Sequence, residues 1–157
     1  MRVFSAVVAG LGNIGLRYDL GASDGERVAS HARAFTVHPG YRLVAGIDPD
    51  EAGRALLEQH YNVPAFADIA AMRSAGILPE VWSIAVPTPL HFRIFEDIMA
   101  LRPAAVLCEK SLAEDVEEAE RMVAAARERN CVLAVNYIRR FEPGVLALRQ
   151  LIAAGAL

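Results

Sequence analysis

The chain has 157 residues, of which 54% are apolar and 22% charged, with a net charge of −3. This length fits one domain with its own hydrophobic core. The slightly acidic net charge argues against nucleic acid and anionic membranes as partners. No apolar run is long enough to span a bilayer. The glycines near the start of the sequence argue against a signal peptide.

Short apolar runs alternate with helical patterns along the chain, which is typical of βαβ units. The predicted strands are, in chain order, 3–9, 41–48, a weak one at 65–66, 81–86, 104–108 and 132–135. Their almost continuous apolar character suits strands that are covered on both faces. We therefore predict an α/β fold with a doubly wound parallel sheet, strand order 3-2-1-4-5-6, and a ligand crevice at the carboxyl ends of the strands.

The predicted helices occupy residues 50–60, 89–101, 111–129 and about 143–154. The third is the best supported, because Ser111 and Glu114 form a Ser-x-x-Glu capping box and an apolar stripe follows at helical spacing. Glu117 and Arg121 add an i,i+4 ion pair on its solvent face. The polar segment 19–29 is predicted to be a loop.

Cys108 and Cys131 both lie in apolar runs. This setting predicts reduced core residues of a cytoplasmic protein rather than a disulfide. The cysteine spacing does not indicate a metal site, and we expect none.

The sharpest local feature is the run Gly10-Leu11-Gly12-Asn13-Ile14-Gly15, which follows the first predicted strand and opens a predicted helix. In a turn of this kind the first glycine allows a tight bend, the second lets the backbone approach a pyrophosphate, and the third lets the helix pack on the strand. Free N–H groups at the start of the helix then bind the phosphates. Glycines also mark ordinary turns, but this context predicts a Rossmann dinucleotide-binding domain.

Asp48 ends the second predicted strand. A carboxylate there can accept both hydroxyls of an adenosine ribose and would repel a 2′-phosphate, which predicts NAD in preference to NADP. The separation from Gly15 exceeds the usual spacing of about 20 residues, and the polar insert at 19–29 accounts for the difference. The alternative is that Asp48 caps the helix that follows Pro49.

Three further motifs each follow a predicted strand: Ala-Val-Pro-Thr-Pro-Leu-His at 85–91, Cys-Glu-Lys-Ser at 108–111, and Asn-Tyr-Ile-Arg-Arg-Phe at 136–141. Together with the glycine-rich turn and Asp48, this order resembles the Gfo/Idh/MocA family of glucose–fructose oxidoreductases, inositol dehydrogenases and rhizopine-catabolism proteins. The resemblance covers essentially the whole chain. It implies NAD(P)-dependent hydride transfer on the CH–OH group of sugars, cyclitols and related polyols.

The resemblance also implies which residues of the three motifs surround the cofactor: Pro87, Thr88, His91, Glu109, Asn136 and Arg139. Thr88 and His91 would line the central cleft, and Glu109 would lie near the nicotinamide ribose. Asn136 and Arg139 would border the nicotinamide end. Taken alone, His91 could equally be a polar surface residue in the first turn of a helix, and the arginine could be solvated or bind an acidic partner.

By the same resemblance Lys110 would be the general acid or base that faces the substrate oxygen. Its alternative is a surface lysine paired with Glu109 or Glu114. The family usually has proline after its Glu-Lys pair, whereas Ser111 stands here, and this departure can change the direction of the lysine side chain.

Enzymes of this family continue into a mainly antiparallel β domain that carries most of the substrate pocket, usually an Asp-x-x-x-His motif, and the oligomer interface. We therefore expect 1–142 to be the dinucleotide-binding domain and 143–157 a helix that leads into a domain absent from this sequence. A sugar or polyol substrate would then need that second domain or a partner chain. The last helix has an apolar face that predicts a homo-oligomer or a partner, formed by Val145, Leu148, Leu151 and Ile152.

Two other classes of function stay open at this point. One is a non-catalytic dinucleotide-binding module that acts as a sensor, scaffold or partner subunit. The other is an S-adenosylmethionine-binding fold, which also uses a glycine loop and an acidic residue. The Glu109-Lys110 pair and the segment 87–91 argue against the latter.

Overall fold

A computed structural model describes residues 2–23 and 27–156. Six parallel strands form one sheet in the order β3-β2-β1-β4-β5-β6. The strands are β1 (Phe4–Ala9), β2 (Tyr41–Ile47), β3 (Ala65–Phe66), β4 (Val81–Ile84), β5 (Ala105–Cys108) and β6 (Val132–Val135). The predicted doubly wound architecture and its strand order are confirmed.

The α-helices of the described ranges are α1 (His31–Val37), α2 (Glu51–Tyr61), α3 (Ile69–Ser74), α4 (His91–Met99), α5 (Val116–Glu128) and α6 (Pro143–Ala153). Single 3₁₀ turns cover Arg17–Asp19, Thr88–Leu90 and Ile138–Phe141. The helices predicted at 50–60 and 143–154 agree with α2 and α6 to within one residue. Within 2–23 and 27–156, no helix has both the length and the apolar character needed to cross a membrane.

Apolar side chains from alternating strand positions form a core on each face of the sheet. Trp82 packs with Phe95 of α4 and Met122 of α5 on one face. On the other face, Val8 belongs to a cluster with Phe35 of α1 and further residues of α2. Because alternate side chains of a strand point to opposite faces, the continuous apolar run of β1 serves both clusters.

Both cysteines are buried and free, as the sequence predicted for core residues. Burial raises the pKa of the Cys108 thiol to about 12, and the neighbouring Glu109 carboxylate adds to the rise. Burial also raises the pKa of the Cys131 thiol. Both side chains therefore carry neutral thiols at physiological pH.

The helix predicted to open at the glycine-rich turn is interrupted. A helical turn forms first, in which the amides of Leu16 and Arg17 bond to the Gly12 carbonyl. The chain then leaves for the insert, which includes residues 24–26 outside the described ranges. It returns at α1, where the amide of His31 bonds to the carbonyl of Ile14 at 3.0 Å. The resumed helix is therefore stacked on the turn that it would otherwise have continued.

The start of α5 also differs from the prediction. Its N-cap is Asp115, whose carboxylate accepts from the Glu118 amide at 2.8 Å, and Ser111 lies in the preceding loop. The predicted ion pair of Glu117 with Arg121 is wrong, because Arg121 reaches Glu96 on α4 at 3.3 Å. The helix thus begins one capping motif later than expected.

One part of the sheet and the last helix lack an apolar cover. Val132 at the edge strand is 64% exposed, and on the same face its register neighbour Ala105 is only half-buried. Helix α6 has no buried residue. Coverage on both faces therefore holds for the central strands and not for β6.

Candidate functional site

The carboxyl ends of the strands bring the predicted motifs to one edge of the sheet. Backbone hydrogen bonds of 2.7–2.9 Å join these ends in sequence across the sheet, from Gly10 to Ile47, Ala85 to Ala9, Glu109 to Ile84, and Asn136 to Cys108. A cavity of about 1040 Å³ opens beside Gly10 and Val86 and continues between α3 and α4. The end of this cavity at Gly10 and Val86 lies where the strand order reverses between β1 and β4, which is where doubly wound sheets bind ligands.

Two glycines of the turn are required by the protein itself. Gly10 has φ +97°, and a β-carbon there would lie 2.6 Å from the backbone of Ala85. A β-carbon on Gly15 would lie 1.8 Å from the carbonyl oxygen of Gly10. These contacts set the tight bend and the close helix–strand packing that the sequence predicted for the first and third glycines.

Gly12 is different, because neither its conformation nor a protein neighbour excludes a side chain. A β-carbon on Gly12 would meet nothing within 4 Å. The amides of Gly12, Asn13 and Ile14 form no hydrogen bond with any residue in the described ranges. Free donors beside open space are what a pyrophosphate needs, so the turn fits the phosphates of a dinucleotide.

Asp48 ties the glycine-rich turn to the end of β2. Its Oδ2 accepts from the Leu11 amide at 2.6 Å, and its Oδ1 accepts from the Asp50 amide at 2.8 Å. The cap of α2 is Asp50, which accepts from the amides of residues 52 and 53. Asp48 therefore does not cap α2 but binds the Leu11 amide of the turn. Each of its oxygens keeps a lone pair that can accept from a ribose hydroxyl.

Glu109 lies at the end of β5 with its side chain 12% exposed. Its Oε1 accepts from His31 Nε2 at 2.8 Å and from Asn136 Nδ2 at 2.6 Å. Burial alone would raise the pKa of Glu109, but the hydrogen bonds from His31 and Asn136 outweigh it and hold the pKa below its ordinary value. The site therefore contains a fixed negative charge at neutral pH.

Lys110 follows Glu109 and is exposed. Within the described ranges it forms no ion pair, so the alternative of a lysine paired with Glu109 or Glu114 is not what the structure has. Its ammonium group is available to a molecule bound at the sheet edge.

His91 lies behind the wall of the cleft rather than in it. The ring is fully buried, with Nε2 2.9 Å from the Val86 carbonyl oxygen and Nδ1 2.8 Å from the Ser111 carbonyl oxygen. The expected position lining the cleft is thus corrected, because a ring with no exposed atom cannot contact a ligand there. His91 instead connects the loop after β4 to the loop that carries Lys110.

The other predicted residues lie nearer to solvent. Thr88 is half-buried in the 3₁₀ turn after β4, and Pro87 before it is exposed. Arg139 is 85% exposed and lies 3.7 Å from Glu142. None of these three side chains is fully buried, so all three are accessible to a ligand at the sheet edge.

Two site residues were missed from the sequence. His31, the first residue of α1, contacts Glu109, and its Nδ1 lies 2.7 Å from the hydroxyl of Ser83. Ser83 stands in the middle of an apolar strand, which is a weak polar signal in the sequence. His31 follows the insert and has no local signal. Over the described part of the chain, no three His, Cys, Asp or Glu side chains are arranged to hold a metal ion.

Comparison with known proteins identifies the group of proteins to which this site belongs. Residues 4–137 match the profile of GFO_IDH_MocA, described as "Oxidoreductase family, NAD-binding Rossmann fold". UDP-N-acetylglucosamine 3-dehydrogenase of Acidithiobacillus ferrooxidans is 34% identical over 68% of the chain. Inositol 2-dehydrogenase of Rubrobacter xylanophilus is 33% identical over 76% of the chain. The chain spans 33% and 34% of the lengths of these two relatives.

A solved structure agrees at the level of the fold. The WlbA dehydrogenase from Bordetella pertussis, crystallised with NADH and UDP-GlcNAcA, superposes with a TM-score of 0.81 at 21% identity. The superposition covers 98% of this chain and 40% of that one. The profile match and the shared fold lead to one conclusion: the chain belongs to the Gfo/Idh/MocA oxidoreductase family and comprises its NAD-binding Rossmann domain.

Proposed function

We propose that this chain binds NAD(H), in preference to NADP(H), for an oxidoreductase that acts on the CH–OH group of a sugar, cyclitol or related polyol. Residues 1–142 are the dinucleotide-binding unit, and the segment from 143 leads toward a substrate-binding part. The relatives support the substrate class, since they include dehydrogenases of a nucleotide sugar and of inositol. The observation that carries the proposal is the open space and free amides at Gly12, with Asp48 beside that turn.

Different residues along the sheet edge would bind different parts of the cofactor. The free amides of the turn would hold the pyrophosphate, and Asp48 would accept hydrogen bonds from the adenosine ribose. Glu109 would face the nicotinamide ribose, with Thr88, Asn136 and Arg139 around it. When bound, the nicotinamide supplies the acceptor for the hydride that leaves the substrate carbon.

Lys110 would be the general acid or base of the same reaction. In oxidation, the unprotonated Nζ takes the hydroxyl proton from the substrate, and the substrate C–O bond becomes a carbonyl as the hydride leaves. In reduction, the protonated Nζ returns that proton to the oxygen. The exposed position of Lys110 without an ion pair in the described ranges supports this role.

Cofactor choice is tested by titrating the chain with NADH and NADPH at fixed ionic strength. We expect NADPH to bind more weakly, because the Asp48 carboxylate would repel the 2′-phosphate. Asp48→Ala should narrow the difference, and Glu128→Ala, which removes an exposed carboxylate at the last residue of α5, is the control. Equal affinities of the unmodified chain for the two cofactors would contradict the preference, and a folded chain that binds neither would refute the function.

Lys110→Ala separates binding from chemistry. We expect NADH affinity to stay within about twofold, while turnover falls by about 10²–10⁴, the usual effect of removing a general acid or base. Turnover is to be measured with the substrate-binding part of the enzyme present. The 157-residue polypeptide alone is expected to turn over no polyol or sugar, since one domain forms only one wall of a site that must exclude water.

Normal turnover by Lys110→Ala would assign the proton transfer to another residue. Robust activity of the isolated polypeptide in a screen of sugars and polyols with NAD would contradict the expectation of inactivity. Calorimetry with S-adenosylmethionine tests the remaining alternative. Binding of that ligand in place of NADH would support an S-adenosylmethionine-binding fold.

A further inference from the structure

The side chain of His31 connects two structural elements inside the fold. Its Nδ1 lies 2.7 Å from the Ser83 hydroxyl on β4, and its Nε2 lies 2.8 Å from Glu109 Oε1 at the end of β5. The ring is 5% exposed and Ser83 is fully buried. Since solvent hardly reaches these groups, their hydrogen bonds define one orientation of the imidazole.

The backbone of the same residue is bonded to the phosphate-binding turn. The His31 amide donates to the Ile14 carbonyl at 3.0 Å, and the next amide, of Ala32, donates to the Gly15 carbonyl at 3.0 Å. His31 therefore joins the glycine-rich turn to the end of β5 through a single residue.

The hydrogen positions follow from the chemistry of the partners. An ionised carboxylate only accepts hydrogen bonds, so the hydrogen toward Glu109 lies on His31 Nε2. The Ser83 hydroxyl can donate or accept and therefore satisfies Nδ1. Asn136 also donates to Oε1 of Glu109, and the backbone amide of Lys110 interacts with the same carboxylate and lowers its pKa. No side chain in the described part of the chain donates to Oε2.

We propose that His31 is a positioning residue of the dinucleotide site: it fixes Oε1 of Glu109 so that Oε2 points to a hydroxyl of the nicotinamide ribose. The inference rests on the proposed binding of NAD(H). It also accounts for the burial of a histidine at the start of an interrupted helix against a carboxylate. The proposal concerns only the nicotinamide half of the ligand.

Two substitutions of His31 separate the two ring nitrogens. His31→Gln places an amide donor at about the position of Nε2, so that it can still reach Glu109. His31→Asn places a polar group only at about the position of Nδ1, so that it can reach Ser83 and not Glu109. His60→Asn, at an exposed position of α2, is the matched control.

The ligands make a second pair, because ADP contains the adenosine and pyrophosphate but lacks the nicotinamide ribose. We expect His31→Asn to weaken NADH binding about tenfold, the scale of one hydrogen bond to a charged group. ADP affinity should stay within about twofold. His31→Gln should restore most of the NADH affinity, and His60→Asn should change neither ligand.

Equal weakening of NADH and ADP by His31→Asn would overturn the proposal, as would unchanged NADH affinity or a failure of His31→Gln to rescue. Circular dichroism of each variant establishes that it is folded. Nitrogen-15 NMR of histidine-labelled, unmodified chain gives a test without substitution: NADH should shift the His31 Nε2–H signal and ADP should not. Identical shifts with both ligands would contradict the proposal, whereas a folded chain that binds ADP and not NADH would refute the proposed function itself.

Discussion

At the residue scale, an added methyl group would meet different surroundings at two glycines of the turn. On Gly15 the new carbon would lie 1.8 Å from the Gly10 carbonyl oxygen, whereas on Gly12 it would meet nothing within 4 Å. Overpacking of this kind costs about 1–3 kcal/mol, and substitution at an unobstructed site changes stability by less than about 0.5 kcal/mol. The protein needs the glycine at one position, and the ligand would need it at the other.

We therefore expect Gly15→Ala to lower the free energy of unfolding while Gly12→Ala leaves it nearly unchanged. Gly12→Ala should instead weaken NADH binding about tenfold or more, because the methyl group occupies space for the pyrophosphate. Urea unfolding and fluorescence titration measure the two effects. Full NADH affinity in Gly12→Ala would show that the phosphates do not lie against this turn.

The residues of the site were predictable to unequal degrees. Asp48 was predicted from its position at the end of a strand, because the carboxyl ends of parallel strands share one edge. The role of Glu109 was expected from the family resemblance. His31 was not found, because its contact with Glu109 crosses 78 residues and depends on where the insert returns. The burial of His91 depends on how the loop of Ser111 packs over it, which helical spacing does not encode.

At the scale of elements, strands could be predicted from the sequence, whereas the starts of two helices could not. The strand β6 was predicted with its observed bounds because a short apolar run lies between polar segments. Helix α1 was missed because it continues a turn that ends about a dozen residues earlier, through hydrogen bonds between segments distant in sequence. Asp19 closes the insert by accepting from the amides of Ala29 and Ser30, which allows the helix to resume.

The start of α5 shows a choice between two similar signals. The sequence offers Ser111 followed by Glu114 and Asp115 followed by Glu118, each with capping-box spacing. In the structure only the second is used, while the Ser111 carbonyl is held by His91 at 2.8 Å. Ser111 thus takes part in a tertiary contact instead of capping the helix.

This choice is testable with two alanine substitutions. Asp115→Ala should lower the free energy of unfolding by about 1 kcal/mol, because it removes the acceptor for a helix-terminal amide. Ser111→Ala should have little effect, since the side chain is exposed and caps nothing in the described ranges. Denaturant unfolding of both variants measures the difference, and a larger loss for Ser111→Ala would contradict the helix start in the structure.

At the scale of the whole molecule, apolar surface is concentrated in the last part of the chain. Helix α6 exposes Leu148 at 47% and Leu151 at 48%, and Phe141 before it is 74% exposed. The outer face of β6 adds Val132 at 64%. Scattered apolar residues are normal on a surface, but several on one helix and its neighbouring turn are typical of an interface.

We therefore expect the 157-residue chain to associate, either with itself or with a partner chain, through α6. Size-exclusion chromatography with light scattering should report a dimer or larger species, and Leu148→Glu with Leu151→Glu should convert it to a monomer by charging the face of the helix. Leu78→Glu is a matched control, because it makes the same change at a leucine that is 64% exposed and lies before β4. The folded state should survive all three substitutions, since none removes a buried side chain. If the unmodified chain is a monomer at every concentration, the exposed leucines of α6 do not mediate self-association. If the double variant still associates, the contact lies on another surface, and the exposed face of β6 is the next candidate.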